Sequence, residues 1–247
     1  MNTYLDGEGG VFMEKSYTKI YTTGATVPLK IRPGHFATNH AHINYYIDVT
    51  TLKARTKEAE EVAQALVGMY LYDTVIDTIV CMEGTEVIGA FLAEELAKGG
   101  FLSTNAHKSI YVISPEFNNN SQIIFRDNLI PMIRDKHVMI LMASVTTGRT
   151  LNKAVESIQY YGGILQGASA IFSAMDSLDG VPIKSVFGKK DLPDYTYSDY
   201  RDCPLCKAGK KIDALVNTFG YSPMGLCGDR KLLRLMNTGF VKAESLR

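Results

Sequence analysis

Between Met139 and Leu151 the chain reads M-I-L-M-A-S-V-T-T-G-R-T-L. An apolar strand gives way to hydroxyl side chains around a single glycine, and a helical pattern follows. Such a turn aims backbone N–H groups and Thr hydroxyls at one point, with the positive helix terminus behind them, which suits a phosphate monoester. Ser144, Val145, Thr146, Thr147, Gly148, Arg149 and Thr150 are therefore candidate phosphate contacts. Gly148 lets an anion approach the backbone, and Arg149 adds charge. The same residues also fit an ordinary strand–helix connection in which the threonines merely cap the helix. No Lys follows the glycine, so this is not a P-loop.

Three other groups of residues could do chemistry. Cys203-Pro204-Leu205-Cys206 has metal-ligand spacing, and Cys227 could add a third thiolate. A closed zinc site needs four ligands, and no His lies C-terminal to His137, so Asp229 or Cys81 would have to complete it. The thiols read more readily as packing residues, and zinc is not expected. His40 and His42 alternate, so on an extended segment they point the same way, toward a cleft or simply into solvent. Glu83 and Glu86 flank Gly84-Thr85 at a helix start, where acidic side chains suit the helix dipole. The run Lys207, Lys210, Lys211 reads as a solvated face.

The elements that must position these residues alternate short apolar runs with amphipathic helices, the pattern of an α/β fold with a mostly parallel sheet. Helices are expected over Thr56–Tyr70, Thr85–Lys98 (stopped by Gly99-Gly100) and Leu151–Tyr161 (stopped by Gly162-Gly163). Strands are expected over Asp77–Met82, Ile110–Ile113, Val138–Met142, Ile164–Phe172 and Ile183–Phe187. The segment Ser114–Ser121, S-P-E-F-N-N-N-S, reads as a mobile loop. The outer segments, Tyr-, Pro- and Asp-rich, read as irregular covers.

Charge and composition exclude several classes. The 26 Lys+Arg balance 26 Asp+Glu, so bulk electrostatic binding to duplex nucleic acid is not expected. With 46% hydrophobic and 21% charged residues the chain is globular, and no apolar run is long enough to span a bilayer. Four cysteines in 247 residues do not make a disulfide framework, and a cytoplasmic location is the default. The first residues carry Asp6 and Glu8 and no signal-peptide pattern, and Met13 offers an alternative start.

The apolar strand with its T-T-G-R-T turn resembles the PRPP-binding loop of type I phosphoribosyltransferases. Three further stretches are similar to orotate phosphoribosyltransferases. Gly34-His35-Phe36 opens G-H-F-A-T-N-H-A-H-I-N-Y-Y-I-D, similar to that family's hood segment. Cys81–Ala90, C-M-E-G-T-E-V-I-G-A, stands where the family has its pyrophosphate loop, so Glu83, Gly84 and Thr85 take that position. Asp202–Gly209, D-C-P-L-C-K-A-G, resembles the C-terminal C-P-L-C-K-x-G of one branch. The match runs over roughly residues 19 to 211 in family order. It implies a mostly parallel five-strand sheet flanked by helices, under a small hood from the N- and C-terminal segments. Residues 1–55 would form the leader and hood segment, 56–190 the α/β core, and 191–247 a C-terminal cover, all in one structural domain. It also implies a homodimer, magnesium accompanying PRPP, a place in pyrimidine nucleotide metabolism, and His40 and His42 as hood contacts.

The departures fall on the chemistry the resemblance implies. The family's two acidic residues before the turn are here Ala143 and Ser144. Its hood Lys-Ser-Gly or Thr-Ser-Gly is Asn39-His40-Ala41, and its basic pyrophosphate-closing loop is Ser114–Ser121, with no Lys, Arg or His. Its orotate-contacting Asp-Arg is Ser173-Ala174-Met175, with Asp176 beyond. The expectation is a protein that binds PRPP or a nucleoside 5′-monophosphate at Thr146–Thr150, with weakened or lost transferase activity. The alternatives are a non-catalytic regulatory binder of the same fold and a structural subunit paired with an active homologue.

Overall fold

A strand buried on both faces must be apolar at every position, and His137–Val145 (H-V-M-I-L-M-A-S-V) is the chain's clearest case. In the computed structural model, which describes residues 17–98, 103–118, 122–218 and 220–224, this strand lies inside a parallel sheet. The elements are, in order, β1 (Thr18–Ile20), β2 (Leu29–Ala37), β3 (His42–Asp48), α1 (Thr50–Ala54), α2 (Thr56–Val67), β4 (Thr78–Cys81), α3 (Glu86–Lys98) and β5 (Tyr111–Ile113). There follow β6 (Glu116–Phe117), β7 (Ile123–Ile124), β8 (His137–Val145), α4 (Arg149–Tyr160), β9 (Ile164–Ser173), β10 (Ser177–Leu178) and β11 (Val181–Gly188). The chain continues through β12 (Tyr197–Ser198), α5 (Pro204–Lys207), β13 (Ala214–Asn217) and β14 (Gly220–Pro223).

The first sheet has the order β10-β11-β9-β8-β4-β5, and every pair is parallel except β10 with β11. Side chains of β8 alternate between two cores. Met139 and Leu141 pack with α2, α3 and the N-terminal strands, while Val138, Ile140 and Met142 pack with α4. The faces of α4 expected to be buried, Leu151, Ala154, Val155 and Ile158, are buried. Helix α2 is shorter than expected, ending at Val67 before Gly68. Tyr70 is nonetheless buried beyond the helix, its hydroxyl hydrogen-bonded to Ser169 Oγ.

The outer segments are not irregular. They form a second sheet, β12-β3-β2-β13-β14 with β1 beside β2, drawn from both ends of the chain. Alternation in L-K-I-R buries Leu29 and Ile31, and β3 buries Ile43 and Tyr46. Pro33 and Gly34 hide this pattern in the sequence; in the structure the β2–β3 register shifts between Pro33 and Phe36. The expected loop after β5 is in part a hairpin, β6 pairing antiparallel with β7, while 119–121 at its tip lie outside the described residues. Met13, Gly99-Gly100, Cys227 and Asp229 also lie outside them. No helix among the described residues is long and apolar enough to cross a membrane.

At the opposite end of the sheet from the cleft, Asp77 accepts bonds from the His137 backbone N–H (3.0 Å) and His137 Nδ1 (2.7 Å), and pairs with Lys108 Nζ (3.3 Å). Burial alone would raise this carboxyl; the His137 and Lys108 contacts reverse that and hold it at about 2, against an ordinary 3.8. A carboxyl depressed in the folded state stabilises the fold above its unfolded pKa, and that contribution is lost as pH falls through the folded value. Urea midpoints of the native protein should therefore drop between about pH 4 and pH 2 by more than those of Asp77→Asn. Parallel pH profiles for the two proteins would contradict this.

Candidate functional site

Strand order fixes where a cleft opens. From β4 the chain moves outward to β5, then returns to β8 beside β4 and moves the other way through β9 and β11. The order therefore reverses between β4 and β8, and ligands of open parallel sheets bind outside the strand C-termini at such a switch point. The turns leaving β4 and β8 meet there, Glu83 beside Ser144–Thr150, and the second sheet covers them. The resulting cleft lies between the two sheets. Its floor is Met142–Leu151, and its roof comes from Thr38–His40, Tyr46–Ile47 and the β13–β14 turn.

All seven turn residues proposed from sequence, Ser144 through Thr150, line this cleft. Helix α4 starts at Arg149, two residues before the expected Leu151, because Gly148 takes the N-cap in a left-handed conformation (φ 73°). No backbone carbonyl among the described residues accepts from the N–H groups of Thr146, Thr147, Gly148, Arg149 or Thr150. The first N–H bonded back into the helix is that of Asn152, to the Gly148 carbonyl at 2.8 Å. The free donors of a helix start thus lie at a cleft whose lining includes Thr146, Thr147 and Thr150. Thr146 Oγ1 is held 3.1 Å from the hydroxyl of Tyr195, a buried phenol pushed up to about 12 by desolvation and therefore neutral.

The pyrophosphate-loop position is only partly in the cleft. Glu83 lines it, in a left-handed backbone conformation (φ 60°), whereas Gly84 and Thr85 do not. Thr85 is buried, its hydroxyl donating to the carbonyls of Met82 (2.9 Å) and Leu141 (3.1 Å). The Glu83 carboxyl is raised by burial, an effect offset in part by the Ser144 N–H, which lies 3.4 Å from Oε2, and by Lys53. A carboxyl thus sits against the backbone of Ala143 and Ser144, the two positions where the resembled family carries acids. It reaches them from the neighbouring strand.

Lys53 was not legible as a site residue. It stands in short α1, and its Nζ donates to the carbonyls of Glu83 (2.6 Å) and Thr218 (3.3 Å) at the cleft wall. Burial lowers its pKa, against the pull of Glu83, Glu86 and Asp48. No motif surrounds it, and only its tertiary position gives it a role.

The two histidines part company. Thr38 closes a tight turn, its hydroxyl donating to the Ala41 carbonyl and accepting from the N–H groups of His40 and Ala41. That turn breaks the alternation on which a shared direction depends. His40 lines the cleft, where burial and the charges of Arg149 and Lys153 hold it below the ordinary histidine range. His42 begins β3 and faces Cys206, with Nδ1 3.2 Å from Sγ, so it is not a cleft contact. Cys81 is buried in β4 against Gly89, well away from Cys203 and Cys206 in the fold, and its thiol is pushed up to about 12 by desolvation. In the hairpin after β5, Arg126 is paired with Glu116 at 2.6 Å.

No family model matches the sequence, and no curated protein matches it. Among solved structures the chain is similar to Mycobacterium tuberculosis H37Rv orotate phosphoribosyltransferase in complex with PRPP, at 14% identity over 60% of this chain and 82% of that one (TM-score 0.44). It is similar to Leishmania donovani UMP synthase at 18% identity over 66% of this chain and 34% of that one (TM-score 0.48). A third is adenine phosphoribosyltransferase from Thermoanaerobacter pseudethanolicus, at 16% identity over 58% and 88% (TM-score 0.45). Likeness at this level concerns the course of the backbone alone.

Proposed function

We propose that the cleft binds a 5′-phosphorylated ribose compound, PRPP or a nucleoside 5′-monophosphate, with the phosphate on the Thr146–Thr150 turn, and that transferase chemistry is weak or lost. The observation that carries this is the set of unbonded N–H groups at the start of α4, open to the cleft at the sheet's switch point. Arg149, exposed at the rim, adds a cation beside them. Glu83 is the one carboxylate lining the cleft among the described residues, and it is engaged by backbone N–H groups. With the Glu83 carboxyl already accepting from the Ser144 N–H, monophosphate binding is expected to be independent of magnesium.

Isothermal titration with uridine and adenosine 5′-monophosphates, PRPP and inorganic phosphate tests the reading. The phosphorylated compounds should bind and the parent nucleosides should not. Replacing Arg149 with Met should weaken binding by about tenfold, the scale of one charge-assisted hydrogen bond. Equal binding of nucleoside and nucleotide would remove the phosphate from the site. The missing acidic pair and the paired Arg126 favour a binder over an enzyme, and for that reason sensing of such a compound stands ahead of its turnover.

A further inference from the structure

Far apart in sequence, His35, His42, Cys203 and Cys206 bring one ligand atom each to within 4.8 Å of one another. Within the cluster His35 Nε2 lies 3.1 Å from His42 Nδ1, 3.5 Å from Cys203 Sγ and 3.6 Å from Cys206 Sγ, and His42 Nδ1 lies 3.2 Å from Cys206 Sγ. Zinc bonds of about 2.0–2.1 Å to nitrogen and 2.3 Å to sulfur, arranged tetrahedrally, give edges of about 3.3–3.8 Å between ligand atoms. Four of the six edges thus lie at 3.1–3.6 Å and all six within 4.8 Å, close to the spacing of four ligand atoms around one cation.

The supporting contacts have the right sense. His35 is fully buried, and its Nδ1 lies 2.8 Å from the Lys210 carbonyl, which can only accept. Nδ1 must then carry the proton, and the Nε2 lone pair points at the sulfurs and His42. A carbonyl behind a ligating imidazole is the arrangement that fixes tautomer and orientation in metal sites. Cys203 caps α5, and Cys206 lies within that short helix, so the C-P-L-C turn presents both sulfurs to one point. The sequence supplied the two cysteines but not the histidines, because a β-hairpin at the N-terminus places them where spacing near the C-x-x-C could not reveal them.

We propose that His35, His42, Cys203 and Cys206 bind one structural zinc ion that staples the β2–β3 hairpin to the C-terminal segment. All four positions are taken by protein, the mark of a structural rather than a catalytic site. His35 and His42 flank the Thr38–Ala41 turn, so the ion also holds the part of the roof that carries His40.

Metal analysis of the full chain, purified without chelator and without a metal-affinity step, should find about one zinc per chain. Cys203→Ser and His42→Ala should each reduce this to below about a tenth, and His107→Ala, an exposed histidine elsewhere, should leave it intact. Should the variants fail to fold, the native chain stripped of metal and titrated with cobalt(II) gives an independent answer. A cobalt spectrum with strong visible bands and sulfur-to-metal charge transfer, displaced by zinc, supports an S2N2 tetrahedron. Weak octahedral bands, a Cys203–Cys206 disulfide in the freshly purified protein, or metal-free chains whose two thiols react with ordinary rates would each overturn the proposal. These outcomes are independent of any nucleotide binding in the cleft.

Discussion

Supplied with saturating PRPP, magnesium and orotate, the purified protein should form orotidine monophosphate more slowly than about 10⁻³ per second, at least a thousandfold below the low end of ordinary turnover. Phosphoribosyl transfer depends on positioning the sugar and on stabilising charge on a departing pyrophosphate. Ala143 cannot accept from a ribose hydroxyl through its side chain, and Ser144 brings no negative charge. The buried Glu83 carboxyl lines the cleft beside the Ser144 backbone and offers a departing pyrophosphate no cation. The hairpin after β5 brings one arginine, already paired with Glu116. Loss of a single charge-stabilising donor costs about 10²–10³ in rate, and several such losses compound. Restoring Ala143→Glu and Ser144→Asp should improve PRPP binding more than turnover, because cations for the departing pyrophosphate would still be missing. Product formation at about 1 per second or faster would mean that other residues fill these roles.

Replacing Gly148 should disable the turn more thoroughly than replacing any one of its threonines. Its φ of 73° is a conformation that side chains rarely adopt, and an added Cβ would lie 2.9 and 3.0 Å from the Leu178 methyls and 3.4 Å from the Met175 sulfur. The Leu178 methyls can move, but the backbone strain cannot be relieved without reshaping the N-cap. Gly148→Ala is expected to lower stability by about 1–3 kcal/mol and to weaken monophosphate binding by tenfold or more. Gly24→Ala is the control: φ is 91° with nothing within 4 Å, so it should show comparable strain with binding unchanged. Urea denaturation and calorimetric titration read the two effects separately. Full-strength phosphate binding by a folded Gly148→Ala protein would mean that the anion does not rest on this turn.

What was legible in the sequence was the part held by local pattern. The apolar run of β8, the inward face of α4 and the T-T-G-R-T turn are contiguous, so periodicity and residue type reveal them. The second sheet was obscured because Pro33 and Gly34 interrupt the alternation in β2, and because its partner β13 lies at the other end of the chain. Lys53, Tyr195 and the role of His42 were invisible for the same reason. Each acquires its surroundings from a segment more than 29 residues away, as the Lys53 bonds to Glu83 and Thr218 illustrate. The expected pairing of His40 with His42 failed on a four-residue turn closed by one hydroxyl, Thr38, whose bonds a strand-like reading of alternation does not anticipate.

The pairing of Phe36 with Ala214 and of Ala37 with Leu215 has a consequence for assembly. The parallel sheet joins strands that follow one another closely, whereas β2 meets β13 only after nearly the whole chain has been made. Contacts between distant segments are late and slow to form, since the entropy of closing the loop is spent before they reward it. On a ribosome the α/β core can therefore condense while the roof is still waiting for its last strands. The cleft is complete only once β13 has joined β2, so a chain clipped before β13 would carry the Thr146–Thr150 turn under only part of its cover.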